Sequence, residues 1–525
     1  MENAGREQSA MKAKTYHEWF LHHQRELEAS LEAQGEGPGS GLSAEVVRYS
    51  HLKNYILSGE GKPDVLIACD DDGEPADCAV RMICDFFAEN PRINMVYADE
   101  DQISEGVHIS PWFKADWSPD TFLSTFYFGS IFALRSSALA LINPGKRTAQ
   151  EFESESRILE DAVEEQEARR TEPDSALSSW IYGKLCLKVA QADGGFSKRR
   201  HDRMPVGHIP EILFHAYQKP EAWDANLIRD SLTGRYSKEA AQTRLISIII
   251  PSKDNPELLF RCVHSIMEHV TVPYELIIVD NGSSEVNRRK TQALIDEINA
   301  GDMSATYLYK EMDFNMARMN NMGAACANGE MLLFLHDDVV VRKLGWLSHL
   351  SEKAKLPYVG AVGMKLLYPD SNIIQHAGIV SVQGGPVYKL QYRRNDEVWY
   401  QGFNKGVRNI LAVSGACIMV RRDVFGEVGG FDEENFPDCF TNVDFCYRVF
   451  EKGYYNVVRN NMYLLYYDPV SKENLETLEE REKNRPAELE ALRRLHPMLD
   501  GNDPFYHKYL TQDENETRFL PSLEL

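Results

Sequence analysis

The stretch MLLFLHDDVVV, residues 331–341, contains an apolar run interrupted by His336, Asp337 and Asp338. Adjacent carboxylates after a buried strand can hold a divalent cation, because Mg²⁺ and Mn²⁺ prefer oxygen ligands and often bridge a carboxylate to substrate phosphates. Aspartate also caps helix N-termini well, so the same pair could instead begin a helix. The pair by itself leaves both interpretations open.

The elements around this pair bring further polar residues to the same place. ISIII (246–250) is a β-branched run typical of a buried parallel strand, and YELIIVDNGSS begins with a second one. NNMGAACANGE predicts a helix that ends at Gly329, just before the strand MLLFL. Parallel βαβαβ sheets bind ligands beyond the carboxyl ends of their strands. We therefore expect one crevice, lined by Ser252 to Asp254, Asp280 to Ser283 and His336 to Asp338.

Composition and charge restrict the class of partner. The chain has 525 residues, a formal net charge of −23 and a pI near 5.2. This argues against a nucleic-acid partner, which needs a basic face, and an anionic substrate would need a cation as counter-charge. Nine cysteines without a CxxC pair indicate reduced thiols in a cytoplasmic protein. The N-terminus has no signal-peptide pattern and no apolar run reaches the ~20 residues of a membrane span, which leaves peripheral membrane contact open.

Shifts in composition predict five segments along the chain. They are a polar, partly helical N-terminal segment (1–45), a first α/β region (46–218), a linker (219–244), a second α/β region (245–470) and a charged helical tail (471–525).

Five motifs occur in order in the second region: SIIIPSKD, ELIIVDNGSS, FLHDDV, VSGACIMVRRDVFGEVGGFDE and NVDFCYRVFEKGY. In this order they resemble family 2 glycosyltransferases, which have the α/β GT-A fold, a Rossmann-like fold for nucleotide-diphospho-sugars. PWFKADWSPD (111–120), QHAGIV (375–380) and DPFYHKYLT (503–511) are similar to the tandem-domain bacterial rhamnosyltransferase-like group. The resemblance implies inverting transfer of a sugar from a nucleoside diphosphate donor to a glycan or lipid-linked acceptor, in bacterial surface polysaccharide synthesis, with Mn²⁺ or Mg²⁺ as cofactor.

The resemblance also implies roles for particular residues. The expected nucleotide-sugar site comprises Pro251, Ser252, Asp254, Asp280, Asn315, Arg318 and Asp337. Asp280 corresponds to the carboxylate that hydrogen-bonds the base, and Asp338 is the expected metal ligand in a D-x-D motif whose first position is His336. SGAC (414–417) borders the acceptor site. From the residues alone, Asp280 could instead shape a turn, and Arg318 could be a surface residue of a helix.

The sequence departs from the family at the catalytic base. In FTNVDFCYR (440–448), the position that normally carries the aspartate base holds Asn442, and an amide cannot accept a proton at neutral pH. The closing strand, where the family has a histidine, ends in Tyr466 and Tyr467. Asp444 is therefore the remaining candidate base, although it equally suits an ion pair with Arg448 four residues later.

The first region partly repeats this plan. DVLIACDDDGEP (64–75) parallels EMLLFLHDDVVV, and GHIPEILFHAY (207–217) resembles the closing strand of a GT-A domain. Too few residues precede Asp70, Asp71 and Asp72 for a nucleotide-binding half, and none forms a P-x-x-D strand. We expect a truncated GT-A-like domain that serves as a scaffold or binds the acceptor.

Three functional classes remain. The leading one is a glycosyltransferase with its active site in the second region. The second is a catalytically degenerate module that binds a sugar nucleotide or glycan. The third is a nucleotidyltransferase, which usually needs a Gly-rich basic loop after its first strand, and PSKDNPELL contains no such loop.

Overall fold

The computed structural model describes residues 2–58, 61–141, 177, 180–200, 204–218, 223–224, 244–301, 303–467 and 475–522. The predicted linker therefore falls almost entirely outside the described residues. The chain forms two compact units. The first comprises residues 1–235 with 506–511 and 520–525, and the second comprises 236–505 with 512–519, so the C-terminal segment contributes to both.

A seven-stranded mixed sheet is the centre of the first unit. The strands of this unit are β1 (Ala44–Arg48), β2 (Val65–Cys69), β3 (Gly73–Pro75), β4 (Met95–Ser104), β5 (Val107–Trp112), β6 (Thr125–Phe126), β7 (Ile131–Arg135), β8 (Gly207–Ala216) and β9 (Trp223–Asp224). The sheet order is β1-β2-β7-β4-β8-β3, with β5 paired to β4, while β6 and β9 form a separate ribbon. Strand β2, VLIAC, is buried along its whole length, as a continuous apolar run predicts.

Helices cover this sheet through apolar stripes. They are α1 (Glu2–Ala33), α2 (Tyr49–Leu57), α3 (Ala79–Glu89), α4 (Pro119–Ser124) and α5 (Leu187–Ala192), with a 3₁₀ helix at Ser136–Leu141 and a π-helix at Trp180–Cys186. In α3, Ala79, Ile83 and Phe87 recur every four residues and join a buried cluster with Ile67 of β2. Full burial of an isoleucine or phenylalanine side chain contributes about 1.5–3 kcal/mol to the stability of the folded state.

A cluster of aspartate and histidine side chains surrounds the buried Asp99 of β4. Asp99 Oδ1 lies 3.0 Å from His208 Nε2, and the other ring nitrogen of His208 lies 3.0 Å from Asp116. His507 Nε2 lies 2.8 Å from Asp99 Oδ2. Burial lowers the pKa of His208, but Asp99 and Asp116 outweigh it and raise this pKa to about 9. His208 is therefore a buried imidazolium held between two carboxylates.

The second unit contains a ten-stranded sheet. Its strands and those of an adjoining ribbon are β10 (Ile246–Ser252), β11 (Tyr274–Asp280), β12 (Ser304–Tyr309), β13 (Met331–Leu335), β14 (Val339–Val340), β15 (Val359–Leu367), β16 (Ile374–His376), β17 (Ile379–Val382), β18 (Gly385–Tyr388), β19 (Val407–Asn409), β20 (Cys417–Arg421) and β21 (Tyr455–Tyr466). The main order is β12-β11-β10-β13-β20-β15-β21-β14. Strands β10 to β13 are parallel, which confirms the predicted βαβαβ arrangement.

The helices of the second unit include the crossovers between these strands. They are α6 (Pro256–His269), α7 (Glu285–Asn299), α8 (Met316–Cys326), α9 (Trp346–Ala354), α10 (Arg422–Glu427), α11 (Thr441–Glu451) and α12 (Leu475–Leu495). The prediction that the helix before β13 ends at Gly329 was wrong, because α8 ends at Cys326. The N–H groups of Asn328 and Gly329 bond instead to Glu275 Oε1 (2.6 Å) and Ser247 Oγ (2.8 Å). These side-chain acceptors on β10 and β11 replace the helical carbonyls.

The two sheets share one topology. Strands β1, β2, β7, β4, β8 and β3 of the first unit correspond in order and direction to β10, β13, β20, β15, β21 and β14 of the second. A backbone hydrogen bond from the residue after the closing strand to the acidic turn also repeats. In the first unit the Tyr217 N–H donates to Asp72 O (3.3 Å), and in the second the Tyr467 N–H donates to Asp338 O (3.0 Å). Among the described residues, the first unit has no counterpart of β11 and β12. This confirms an α/β GT-A-type domain preceded by a truncated one.

A search of the helices in the described part of the chain found none that combines the length and the apolar character needed to cross a membrane.

Candidate active site

The carboxyl ends of β10, β11 and β13 meet at one edge of the second sheet. Ser252 is paired directly with Asp280 in the parallel register of β10 and β11. The Ser252 hydroxyl donates a 2.6 Å hydrogen bond to Asp337 Oδ2, which joins β10 to the turn after β13. The structure thus brings Ser252, Asp280 and the Asp337–Asp338 pair together, in the arrangement that the strand order predicts.

Asp280 lies almost fully buried at the end of β11. Its Oδ1 accepts a 2.8 Å hydrogen bond from the Ser283 N–H, and its Oδ2 accepts one from the Tyr307 hydroxyl of β12. Burial, together with this hydrogen bond to Asp280, raises the pKa of Tyr307, which therefore stays a proton donor. The carboxylate shapes the turn and is fixed in one orientation at the edge of the sheet.

The acidic pair after β13 is largely withdrawn from solvent. Burial raises the pKa of Asp337 to about 6, although the hydrogen bond from Ser252 acts in the opposite direction. Asp338 is 5% exposed and lies in the turn between β13 and β14. Because Mg²⁺ and Mn²⁺ are often held by one or two carboxylates together with substrate phosphates, the donor set here fits such an ion. Strand β21 ends at Tyr466, and the N–H of the next residue, Tyr467, donates to Asp338 O at 3.0 Å.

The other predicted donor-site residues lie nearby in the same elements, and each has polar partners. Asp254 Oδ1 accepts hydrogen bonds from the Ser284 N–H (2.8 Å) and from Asn287 (2.9 Å) at the start of α7. Burial alone would raise the pKa of Asp254, but these bonds lower it. Pro251 is buried in β10, paired with Val279 of β11. These two positions join β10 to its neighbours.

Asn315 and Arg318 lie at the start of α8. Asn315 caps this helix, since its side-chain oxygen accepts a 2.8 Å hydrogen bond from the Arg318 N–H. The Arg318 side chain is 44% exposed, and its guanidinium forms a 2.8 Å ion pair with Glu433. A ligand that recruited Arg318 would have to compete with that partly exposed pair, which costs little because such pairs are weak.

Asp444 lies on α11 in a buried ion-pair network. Its carboxylate is 1% exposed, accepts a 2.6 Å hydrogen bond from Arg448 Nη2 and lies 3.1 Å from His496 Nε2. Burial lowers the pKa of His496, but hydrogen bonds to Asp444 and Glu451 outweigh it and raise the value to about 9. Asp444 therefore forms the ion pair with Arg448 that the sequence offered as its structural role. The catalytic role of Asp444 stays a prediction.

The second unit contains a cavity of about 880 Å³. Its wall includes His336, Asn442, Tyr466 and residues 414–416 of the SGAC motif. None of the nine predicted site residues, all of which the structure describes, lies on this wall. Asn442 is held there by a 2.7 Å hydrogen bond from its amide nitrogen to Val413 O.

Sequence reasoning missed part of this wall. Residues 391–393 lie on a loop after β18, and residues 514–517 belong to the C-terminal segment. The loop is irregular, with left-handed backbone at Leu390 (φ 62°) and Tyr392 (φ 64°). Neither segment has the apolar periodicity that would have predicted a helix or strand there. The QHAGIV motif, which the sequence analysis did single out, contributes Gln375 to the same wall.

Residues 247–429 match the sequence model of glycosyl transferase family 2. The second unit therefore contains a glycosyl transferase family 2 domain. The chain is 31% identical over 395 residues to the O-antigen biosynthesis protein RfbC of Myxococcus xanthus, covering 74% of this chain and 29% of that protein. It is 29% identical over 459 residues to the uncharacterized protein y4gI of Sinorhizobium fredii, covering 83% of this chain and 47% of that protein. The chain thus spans less than half the length of these two relatives.

Solved structures with similar folds are remote. The mannosyltransferase PcManGT of Pyrobaculum calidifontis, in complex with GDP-Man and Mn²⁺, is 14% identical, with a TM-score of 0.36 over 50% of this chain and 71% of that one. GalNAc-T7 with UDP, GalNAc and Mn²⁺ is also 14% identical, with a TM-score of 0.35 over 48% of this chain and 45% of that one.

Proposed function

We propose that the second unit is an inverting glycosyltransferase that moves a sugar from a nucleoside diphosphate donor to a glycan or lipid-linked acceptor. The observation that supports it is the single edge where Ser252, Asp280 and the Asp337–Asp338 pair meet, inside the part of the chain that matches family 2. The name of the RfbC relative supports a place in bacterial surface polysaccharide synthesis. We place this reaction in the cytoplasm, as the sequence predicts.

In this proposal the residues at the strand ends bind and orient the donor. Asp280, fixed by Ser283 and Tyr307, would accept hydrogen bonds from the base, and Pro251, Ser252 and Asp254 would border the nucleotide. Asn315 and Arg318 would contact the sugar and diphosphate, with Asp337 near the ribose or sugar. Mn²⁺ or Mg²⁺ held by Asp338 would neutralise the charge that develops on the departing diphosphate.

The acceptor would enter the 880 Å³ cavity, where its hydroxyl must lose a proton as it attacks. Asn442 lies on the wall, but an amide cannot take this proton at neutral pH. Asp444 is the carboxylate that we assign as base. It lies outside the cavity wall, so it must give up its bonds with Arg448 and His496 and turn towards the cavity to act. Weak turnover is therefore expected.

These same contacts favour a second candidate, a degenerate module that binds a sugar nucleotide without turnover. Both candidates predict donor binding, so the first experiment is a thermal-shift screen of nucleotide sugars with and without Mn²⁺. A ligand that binds only the native state stabilises it by RT ln(1 + [L]/Kd). Asp338→Ala should remove the Mn²⁺-dependent part of the shift and leave the unliganded melting curve cooperative.

Slow hydrolysis of the bound donor then separates the two candidates, because only a transferase should release the free sugar. A screen in which no nucleotide sugar shifts the melting temperature would count against both. Unchanged Mn²⁺ dependence in Asp338→Ala would return the acidic pair to a purely structural role.

A further inference from the structure

We propose that the cavity of the second unit binds an acceptor that carries a negative charge, and that Arg393 is the residue that recognises this charge. The inference rests on the proposed function, because it takes the cavity as the acceptor site. It goes further in assigning a substrate class: a glycan that bears a phosphate or a carboxylate group next to its sugar rings.

Arg393 is a half-buried cation on the cavity wall. Its Nε is buried and has no hydrogen-bond partner. Its charge contributes, after the hydrogen bond from Arg518, to the lowered pKa of Glu516 on the same wall. A buried donor of a charged group that lacks a partner is costly, because its desolvation is not compensated. A ligand with an anionic oxygen would supply the missing acceptor, and a guanidinium can bind phosphate or carboxylate through two parallel hydrogen bonds.

Charged side chains of both signs lie on the cavity wall together with Arg393. Glu516 lies on the same wall, but its carboxylate is bound by Arg518 through contacts of 2.5 and 2.9 Å. Arg485 is a second cation on this wall and lies over the Phe440 ring at 5.1 Å. The wall also carries the carboxylates of Asp438 and Glu514, so an anionic ligand would bind at Arg393 through its unused Nε donor and not through an excess of positive charge on the wall.

The backbone holds Arg393 in place. The Arg393 N–H donates to Leu390 O (3.1 Å), and the Arg393 carbonyl accepts from the Ile374 N–H (2.8 Å). On either side, the Leu390 N–H bonds to Thr517 O (2.8 Å) and the Tyr392 N–H bonds to Ile374 O (2.8 Å). Left-handed backbone at a leucine and a tyrosine is strained, and such strain persists only where the surroundings enforce it. The guanidinium is therefore presented from a fixed loop.

Tyr392 supplies the other half of the expected subsite. Its side chain lies on the cavity wall, is 66% exposed and stacks on Tyr368 at 5.7 Å with an interplanar angle of 6°. Gln375 and Gln391 lie on the same wall. An exposed aromatic face beside amide groups can contact a sugar ring and its hydroxyls at once, because one side of the subsite is apolar and the other polar. The combination suits a charged saccharide better than a free inorganic anion.

Calorimetric binding tests this proposal on the whole chain. The donor site is first saturated with UDP or GDP, whichever the donor screen selects, and Mn²⁺. Three probes are then titrated: a glucuronate-containing tetrasaccharide, farnesyl diphosphate, and chitotetraose as the neutral saccharide. Tighter binding of the glucuronate probe assigns the charge to a carboxylate, whereas tighter binding of farnesyl diphosphate assigns it to a lipid-linked phosphate.

Arg393→Gln should weaken the preferred charged probe roughly tenfold, as expected when a charge-assisted hydrogen-bonded pair is lost, and leave chitotetraose unchanged. Arg393→Lys should restore part of the loss. The matched control is Arg394→Gln, because Arg394 is the next residue but pairs with Asp396 at 2.5 Å and lies outside the cavity wall. Melting curves identify any variant that fails to fold.

Two results overturn the proposal while leaving the proposed function intact: equal binding of neutral and charged probes, or no binding of either charged probe, in a chain that still binds the nucleotide. An equal loss of nucleotide affinity in Arg393→Gln would also overturn it, since Arg393 would then belong to the donor site. Failure of nucleotide binding in the unaltered chain would instead contradict the proposed function.

Discussion

The Ser252 hydroxyl donates a 2.6 Å hydrogen bond to Asp337 Oδ2 across 85 residues of sequence. The bond joins the end of β10 to the turn that carries Asp338. Ser252→Ala should lower the free energy of unfolding by about 1.5–3 kcal/mol, because it leaves the half-buried Asp337 carboxylate without this charge-assisted hydrogen bond. Urea denaturation at pH 7.5 measures the change. Ser252→Thr keeps the hydroxyl and is the control, and equal losses in both variants would show that packing dominates.

Asp280 is expected to bind a part of the donor that the free nucleotide shares. Asp280→Asn should therefore weaken the sugar nucleotide and the free nucleoside diphosphate by the same factor, since binding common to both is removed. Calorimetry with each ligand measures this factor. Tyr307→Phe keeps the Asp280 carboxylate but removes one of its donors, and it should have the smaller effect. A loss restricted to turnover would contradict the assigned role.

The parallel core of the second unit could be predicted because its signals are local. Strands β10, β11 and β13 are buried almost throughout, so continuous β-branched and apolar runs indicate them directly. Strand β12 was not predicted, because only Ala305 of its six residues is buried. Edge strands bury little surface and leave a weak pattern. The repeat between the two units was visible in the sequence at the strands followed by acidic residues and at the closing strand GHIPEILFHAY.

Two kinds of contact at the candidate site could be predicted: those between the ends of neighbouring parallel strands, such as Ser252 with Asp280, and those close in sequence. The ion pair of Asp444 with Arg448 follows from a spacing of four residues. Its second partner, His496, lies 52 residues away, and no local pattern indicates that contact. The same holds for Arg393, because its position depends on an irregular loop fixed by Ile374 and Thr517.

The buried His208 imidazolium predicts how stability depends on pH. The pKa of His208 is raised in the folded chain to about 9 from an ordinary value of 6.5. Its contribution is therefore fully present below pH 6.5 and is lost as the pH rises through about 9. The loss should reach about 3 kcal/mol, from 1.36 kcal/mol for each pKa unit. Urea denaturation at pH 6, 7.5 and 9 measures it.

His208→Gln should flatten this dependence. His496→Gln is a necessary comparison, because the pKa of His496 is raised in the same direction, to about 9, and its contribution disappears over the same pH range. A pH dependence that survives in both single variants and in the double variant would mean that neither histidine is the source.

The acidic run Asp70–Asp72 of the first unit should not bind the donor. Asp71 accepts a 3.0 Å hydrogen bond from the Ser50 N–H, and Asp70 Oδ1 accepts one of 3.1 Å from the Asp72 N–H, so these carboxylates have structural partners. The unit also has no described counterpart of β11, which carries Asp280. Changing all three aspartates to asparagine should leave donor affinity unchanged in a thermal-shift titration. Asp338→Asn in the same assay is the positive control, and a collapse of donor binding in the triple variant would refute the scaffold interpretation.

Asn442 and Asp444 together decide whether the site catalyses transfer. Asn442→Asp should raise the rate, because a carboxylate would then lie on the cavity wall where the family has its base. The new side chain would lose the amide donor to Val413 O, at 2.7 Å in the present structure, and could place an oxygen against that carbonyl. Such a contact raises the pKa of a carboxyl group, which suits a general base that works near neutral pH.

Asp444→Asn should lower whatever activity the native chain has, but it also breaks a buried ion-pair network, at a cost of about 3–5 kcal/mol. The rate must therefore be divided by the folded fraction, measured in the same buffer by circular dichroism. His496→Gln is the matched variant, since it disturbs the network and keeps the carboxylate. If Asp444 is the base, the rate per folded molecule falls in Asp444→Asn and not in His496→Gln. If this rate is unchanged in Asp444→Asn and Asn442→Asp gains nothing, neither position supplies the base. Donor binding without transfer in every variant would then identify the second unit as a binding module, in which Asp444 holds α11 through Arg448 and His496.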